Sequence, residues 1–192
     1  MESRLSERNL RRAAQLGLGF WFQWVITNAA GLAIGLAIRQ FMFGLGPWAT
    51  NTFAVGVIVG TTLGVAQIFN LRQHVDRAGW LWVISNGIGW AVGWAVGWQV
   101  GWSVLRGLGI NEVFTLIGGL AGVISGVIQW YLLRSQFHLA GWWILASTFG
   151  WAAGMTVGFA VGGAFGWPLI GALAGAITGA PLIWLLRRPR YA

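Results

Sequence analysis

The chain has 192 residues, 57% of them apolar and 8% charged: 12 Arg, no Lys, 3 Glu and 1 Asp, for a net charge of +8. A soluble domain of this length carries about a quarter of its residues charged, so these side chains cannot build a water-facing surface. The apolar content excludes disorder, and the absence of Cys excludes a disulfide scaffold. An integral membrane protein is the class that remains.

Residues 1–16 come first. Glu2–Gln15 sets Leu5, Leu10, Ala13 and Ala14 among charges at helical spacing, which predicts a short amphipathic segment along the cytoplasmic membrane surface. No small-residue cleavage pattern follows a short apolar core, so no cleavable signal peptide is expected.

Six apolar stretches then meet the roughly 20-residue length of a membrane-crossing helix. They run about 17–38, 52–71, 79–104, 113–133, 140–162 and 167–186, and no Arg, Asp or Glu falls inside them. The charges lie in the gaps. Arg4, Arg8, Arg11 and Arg12 precede the first span; Arg72 and Arg77 follow the second; Arg134 follows the fourth; Arg187, Arg188 and Arg190 follow the sixth, in a basic tail of 187–192. With six spans those ten Arg share one side, and Arg39 and Arg106 take the other. Cytoplasmic loops are enriched in Arg, so both termini are expected on the cytoplasmic side. Basic chains often bind nucleic acid. Here topology and anionic lipid headgroups account for the Arg residues, so no nucleic-acid partner is expected.

A 62-residue internal repeat links the second and fourth spans. Gln67-Ile-Phe-Asn-Leu-Arg72 returns as Gln129-Trp-Tyr-Leu-Leu-Arg134, and Ala78-Gly79-Trp80 returns as Ala140-Gly141-Trp142. Thr27-Asn28, Ser85-Asn86 and Ser147-Thr148 sit at similar depths in the odd-numbered spans. These matches predict an all-α membrane fold of six transmembrane helices, arranged as three parallel-repeat helical hairpins over 17–71, 79–133 and 140–186. The third hairpin has lost most of its outer loop.

Gly recurs every fourth residue in every span. The rows are Gly31 and Gly35; Gly56, Gly60 and Gly64; Gly89, Gly93, Gly97 and Gly101; Gly118, Gly122 and Gly126; Gly150, Gly154, Gly158 and Gly162; and Gly171, Gly175 and Gly179. Residues four apart share one helix ridge, so each row is a groove for close helix packing in the Gly-xxx-Gly manner. Most rows are expected to pack within the chain, and at least one against a partner protein.

Tryptophan gathers at membrane interfaces. Trp21, Trp24, Trp80, Trp82, Trp142 and Trp143 suit an inner belt, and Trp48 and Trp167 an outer one. Trp90, Trp94 and Trp151 fall near the midplane instead. With Trp98 and Asn86 they are the candidate residues for a lipophilic ligand such as a lipid, carotenoid, chlorin or quinone. An indole N–H in hydrocarbon needs an acceptor, and Asn86 is the expected one for Trp90.

Catalytic parts are missing from this reading. His74, Asp76 and His138 lie in loops at spacings that do not make a metal site, so neither a metal nor a catalytic residue is expected. Proton-coupled pumps keep ionisable residues inside their spans, and these spans hold none. Gln67 and Gln129 read as structural features of the cytoplasmic helix ends.

From Gln67 to Trp102 and from Gln129 to Gly166, the chain resembles a group of uncharacterised Trp- and Gly-rich multi-spanning bacterial membrane proteins. That resemblance implies no activity. Tryptophan-rich sensory proteins have five spans and no three-hairpin repeat, and they are set aside. The expected function is a non-catalytic integral membrane subunit or scaffold, not an enzyme. Its partners would be the bilayer and other membrane subunits or a second copy, in a photosynthetic or respiratory complex for example. The alternatives are a passive channel for a small neutral solute, lined by Gln23, Asn28, Asn86 and Gln99, or a carrier or sensor of a lipophilic ligand.

Overall fold

The computed structural model describes residues 16–44, 51–75, 79–104, 107 and 109–189. The amphipathic segment before Leu16, Asp76, Arg77, Arg106 and the last three residues of the tail lie outside them. Among the described residues the secondary structure is helical, with one isolated β-bridge between Phe137 and Pro189.

Among the described residues six α-helices follow one another: α1 Leu18–Phe43, α2 Thr52–Leu71, α3 Trp80–Gln99, α4 Ile110–Leu133, α5 Trp142–Val161 and α6 Gly163–Leu186. A turn of π-helix, Val100–Val104, extends α3. In hydrocarbon every backbone N–H and C=O must be satisfied within the segment, which leaves the helix as the form for such stretches. Five of the six are long and apolar enough to cross a membrane. The exception is α3, which is as long as α2 and α5 but carries five Trp and four Gly residues. Neither residue type adds much hydropathy, so composition and not length sets α3 apart.

Several helix ends differ from the sequence expectation, α4 among them, which starts at Ile110 and takes Glu112 into its first turn. α1 runs on to Phe43, so Arg39 lies inside a helix and is buried on its inward face. A helix of 26 residues is about 39 Å long, more than the roughly 30 Å hydrocarbon core, and its last turns therefore reach the interface. Between α5 and α6 the chain turns at Gly162 and at Gly163, the first residue of α6, with φ of +68° and +60°. Gly162 therefore leaves the fifth row and makes the turn, which lets the third hairpin dispense with an outer loop.

Each helix packs against its two chain neighbours, and α1 and α6 close the circle. The bundle is a ring of six helices. Side chains pointing inward fill it in two apolar layers. One holds Phe20, Trp24, Trp82, Trp143, Leu182 and Leu185 at the end where Arg72, Arg134, Arg187 and Arg188 lie. The other holds Leu32, Leu63, Trp90, Trp94, Ile117 and Trp151 toward the opposite end.

Glycine sets the spacing of the ring. A Cβ at Gly93 would stand 2.7 Å from Ala121 Cα, and one at Gly122 would stand 2.6 Å from the Ser147 carbonyl oxygen. Cβ atoms at Gly31, Gly64, Gly154 and Gly175 would press on Leu63, Val83, Ile170 and Val25 of the next helix. All six rows thus meet the following helix of the same chain, with α6 meeting α1. The expectation that one row faces a partner protein is corrected, because the closed ring gives every helix two neighbours. Backbones brought this close gain van der Waals and Cα–H···O contacts, the forces that remain when lipid replaces water.

Candidate functional site

Between the two apolar layers lies a layer of buried polar side chains: Asn28, Gln67, Asn86, Ser125, Gln129, Ser147 and Thr178. They occupy the inward face because each sits one turn from a layer-forming residue on its helix. Asn28 follows Trp24, Asn86 follows Trp82 and Ser147 follows Trp143, in each case by four positions.

Gln67 is the hub. Its Oε1 accepts from Trp82 Nε1 at 2.8 Å and from Asn86 Nδ2 at 3.1 Å, and its Nε2 donates to Asn28 Oδ1 at 2.9 Å. An indole can only donate, so the Trp82 bond fixes which end of the amide carries the oxygen. Asn28 and Asn86 turn their own amides back to the Trp24 and Trp82 carbonyls, at 2.7 and 3.0 Å. The three helices α1, α2 and α3 are joined through this one side chain.

Gln129 accepts from Trp143 Nε1 at 2.7 Å. On the third side of the ring, Trp24 Nε1 donates to Thr178 Oγ1 at 2.9 Å, and that hydroxyl donates to the Ala174 carbonyl at 2.7 Å. Trp24, Trp82 and Trp143 are therefore core residues tied to a polar partner, whereas Trp80 and Trp142 are exposed. The expected place of Trp24, Trp82 and Trp143 in an interfacial belt is corrected. Neighbours one or two positions apart on a helix point to different faces, and depth in the membrane alone does not separate them.

The candidate ligand residues lie in the second layer. Trp90, Trp94 and Trp151 are buried and Trp98 is half-buried. Trp90 meets Trp151 edge to face, with centroids 4.8 Å apart, and Trp94 leans on Phe114 at 6.1 Å. Phe114 stacks on Phe159, which meets Trp167 edge-on at 4.8 Å. Asn86 is drawn to Gln67 instead, and Trp90 Nε1 meets no acceptor among the described residues. The expected Asn86–Trp90 hydrogen bond is corrected.

Of the side chains named for a channel, Asn28 and Asn86 are consumed in the Gln67 network, and Gln23 and Gln99 are exposed on the outside of the ring. These four do not share a lumen. Arg39 Nη1 is held by the Gly44 carbonyl at 3.0 Å. Among the described residues no group of three or more His, Asp and Glu could hold a metal ion.

Sequence reasoning found Gln67 and Gln129 but missed that both accept an indole N–H. The signal was present as a Trp lying 15 and 14 residues downstream, Trp82 and Trp143. Two cavities adjoin the layers. One of about 170 Å³ lies beside Phe159, Trp167 and Ile170, and one of about 580 Å³ opens at the arginine-rich end beside Arg134. No protein family, curated protein or solved structure matches the chain.

Proposed function

We propose that this chain is a non-catalytic integral membrane subunit, built from three copies of one glycine-packed hairpin and serving as a scaffold for other membrane proteins. Its arginine-rich end, with both termini, faces the cytoplasm of a bacterial inner or intracytoplasmic membrane, following the rule that basic residues stay inside. The observation that carries this reading is the filled ring: indoles occupy its centre, and the amides of Asn28, Gln67 and Asn86 bond one another. Such an interior is suited to holding a shape. Interaction then falls to the outer surface, where Phe22, Ile26, Phe41, Trp80, Phe149 and Phe165 project. Because the glycine grooves are filled from within, partners would be met through these larger side chains and not through close backbone contact.

Purification from native membranes in mild detergent, with native mass determination, tests the proposal. A stable assembly with other membrane proteins is the expected result. A lone monomer would overturn it.

A second reading, a carrier of a lipophilic ligand, draws support from the 170 Å³ cavity lined by Gly158, Phe159, Gly166, Trp167 and Ile170. An absorption spectrum of the purified protein, or lipid extraction followed by mass analysis, discriminates it. Flux of glycerol into proteoliposomes, absent in empty vesicles, would favour a channel instead.

A further inference from the structure

The larger cavity, about 580 Å³, lies where α4 ends and α5 begins, lined by Trp130, Arg134, Ser135, Leu139, Ala140 and Gly141. Its one charged side chain is Arg134. The Arg134 guanidinium lies over the Tyr131 ring, with Cζ 4.0 Å from the centroid, and is flanked by Trp130 at 5.5 Å. A guanidinium stacked by its face keeps its N–H donors at the edge, in the fork that matches two oxygens of a phosphate. No hydrogen bond or ion pair to a described residue engages that fork. The acidic side chain among the described residues is Glu112, in the first turn of α4 at the opposite end of the bundle.

The loop around the cavity is held in one shape. Leu139 has φ of +60°, the one positive value outside Gly among the described residues. Phe137 is buried and bridges to Pro189, so the loop is fastened to the end of the chain. Gly141 caps α5 without a side-chain bond, and the positive end of that helix dipole adds to the Arg134 charge. The remainder of the rim is apolar, and exposed Tyr131, Trp142 and Leu145 continue from it along the membrane-facing surface.

We propose that this cavity binds the headgroup phosphate of an anionic phospholipid, with Arg134 as its polar contact, the Ser135 hydroxyl turning to it from its long 3.4 Å bond to the Leu132 carbonyl, and the acyl chains lying along Tyr131 and Leu145. Charge, an apolar rim and a place at the end of membrane-spanning helices together fit a lipid. The corresponding stretch after α2 offers a comparison within the same chain. Arg72 lies over Phe69 at 5.7 Å, but there the sequence places Asp76 where the α4–α5 loop has His138. The sequence of that stretch carries a carboxylate four residues after its arginine and the α4–α5 stretch carries none, so the site is assigned to Arg134, which lines the cavity, and not to Arg72. The inference rests on the membrane setting and not on the scaffold reading. A monomer that still retains lipid would sink that reading alone.

The test is retention of lipid by the full chain. Protein reconstituted in equal phosphatidylglycerol and phosphatidylcholine is transferred to mild detergent, and bound lipid is counted by native mass spectrometry. The wild type and Arg72→Gln should keep phosphatidylglycerol in preference to phosphatidylcholine, and excess inorganic phosphate should not displace it. Arg134→Gln should lower retention by about tenfold, the worth of a charge-assisted hydrogen bond. Ser135→Trp, which fills the cavity from an exposed position, should do the same and decides the matter if Arg134→Gln fails to fold. Equal retention by the wild type and by the folded variants would overturn the proposal. So would an equal loss in Arg72→Gln, equal retention of phosphatidylcholine, or displacement by inorganic phosphate.

Discussion

Trp82 Nε1 donates to Gln67 Oε1 at 2.8 Å, and Trp143 Nε1 makes the same bond to Gln129 Oε1 at 2.7 Å, from the next odd helix to the preceding even one. Gln67 carries two further bonds that Gln129 does not. Interhelical hydrogen bonds in membrane proteins contribute about 0.6 kcal/mol each on average. Gln67→Leu should therefore destabilise the bundle by about 2 kcal/mol, and Gln129→Leu by about a third of that. Unfolding in detergent by a denaturant titration measures both. Equal losses would mean that the network does not act through Gln67.

Trp90 gives the complementary case. Its indole N–H is buried without an acceptor among the described residues, whereas that of Trp82 is bonded. Trp→Phe at either site removes similar ring volume, so the difference isolates the hydrogen bond. Trp82→Phe should cost about 1–2 kcal/mol more than Trp90→Phe, since it also strands part of Gln67. A melting temperature falling equally in the two variants would refute this.

Neighbouring glycines on α4 should respond in opposite ways. A Cβ at Gly118 would stand 2.6 Å from the Trp151 carbonyl oxygen, while one at Gly119 would meet Ala152 Cβ at 3.9 Å. Gly118→Ala must push α4 and α5 apart and should cost about 2 kcal/mol or more. Gly119→Ala gains helix propensity without a clash and should be neutral or stabilising by up to about 1 kcal/mol. The same denaturant titration compares them.

The α5–α6 turn depends on backbone conformations that side chains disfavour. Gly162→Ala, at φ +68°, should lower stability by about 1–2 kcal/mol, although its surroundings have room for a methyl group. Leu139→Gly, at φ +60°, should gain up to about 1 kcal/mol by releasing the reverse strain. Thermal melts of the two variants should shift in opposite directions.

The all-helical fold was legible because charge and glycine are unambiguous at this composition. Arg72 and Arg134 stand at the ends of α2 and α4, and the four-residue Gly rows named the packing faces. What escaped was direction around each helix. Trp80 and Trp82 have the same depth to within two residues, yet one faces outward and the other is sealed in the core. Closure of the ring was equally hidden, since it rests on contacts between Gly171 and Asn28 or Gly175 and Val25, remote in sequence and without a local pattern. The polar layer was visible residue by residue, but its wiring through Gln67 required three helices in place at once.

The contact between α1 and α6 bears on how such a chain can be made. Ribosomes deliver helices in order, so α1 enters the membrane with its inward face bare and waits for α6. The acceptor for Trp24 Nε1, Thr178, lies 154 residues downstream. Until α6 is inserted, that indole and the backbone ledge at Asn28, which Gly171 will cover, remain open to whatever the insertion machinery supplies. Completion of this bundle is thereby coupled to the insertion of α6: without it, α1 lacks a neighbour on one side.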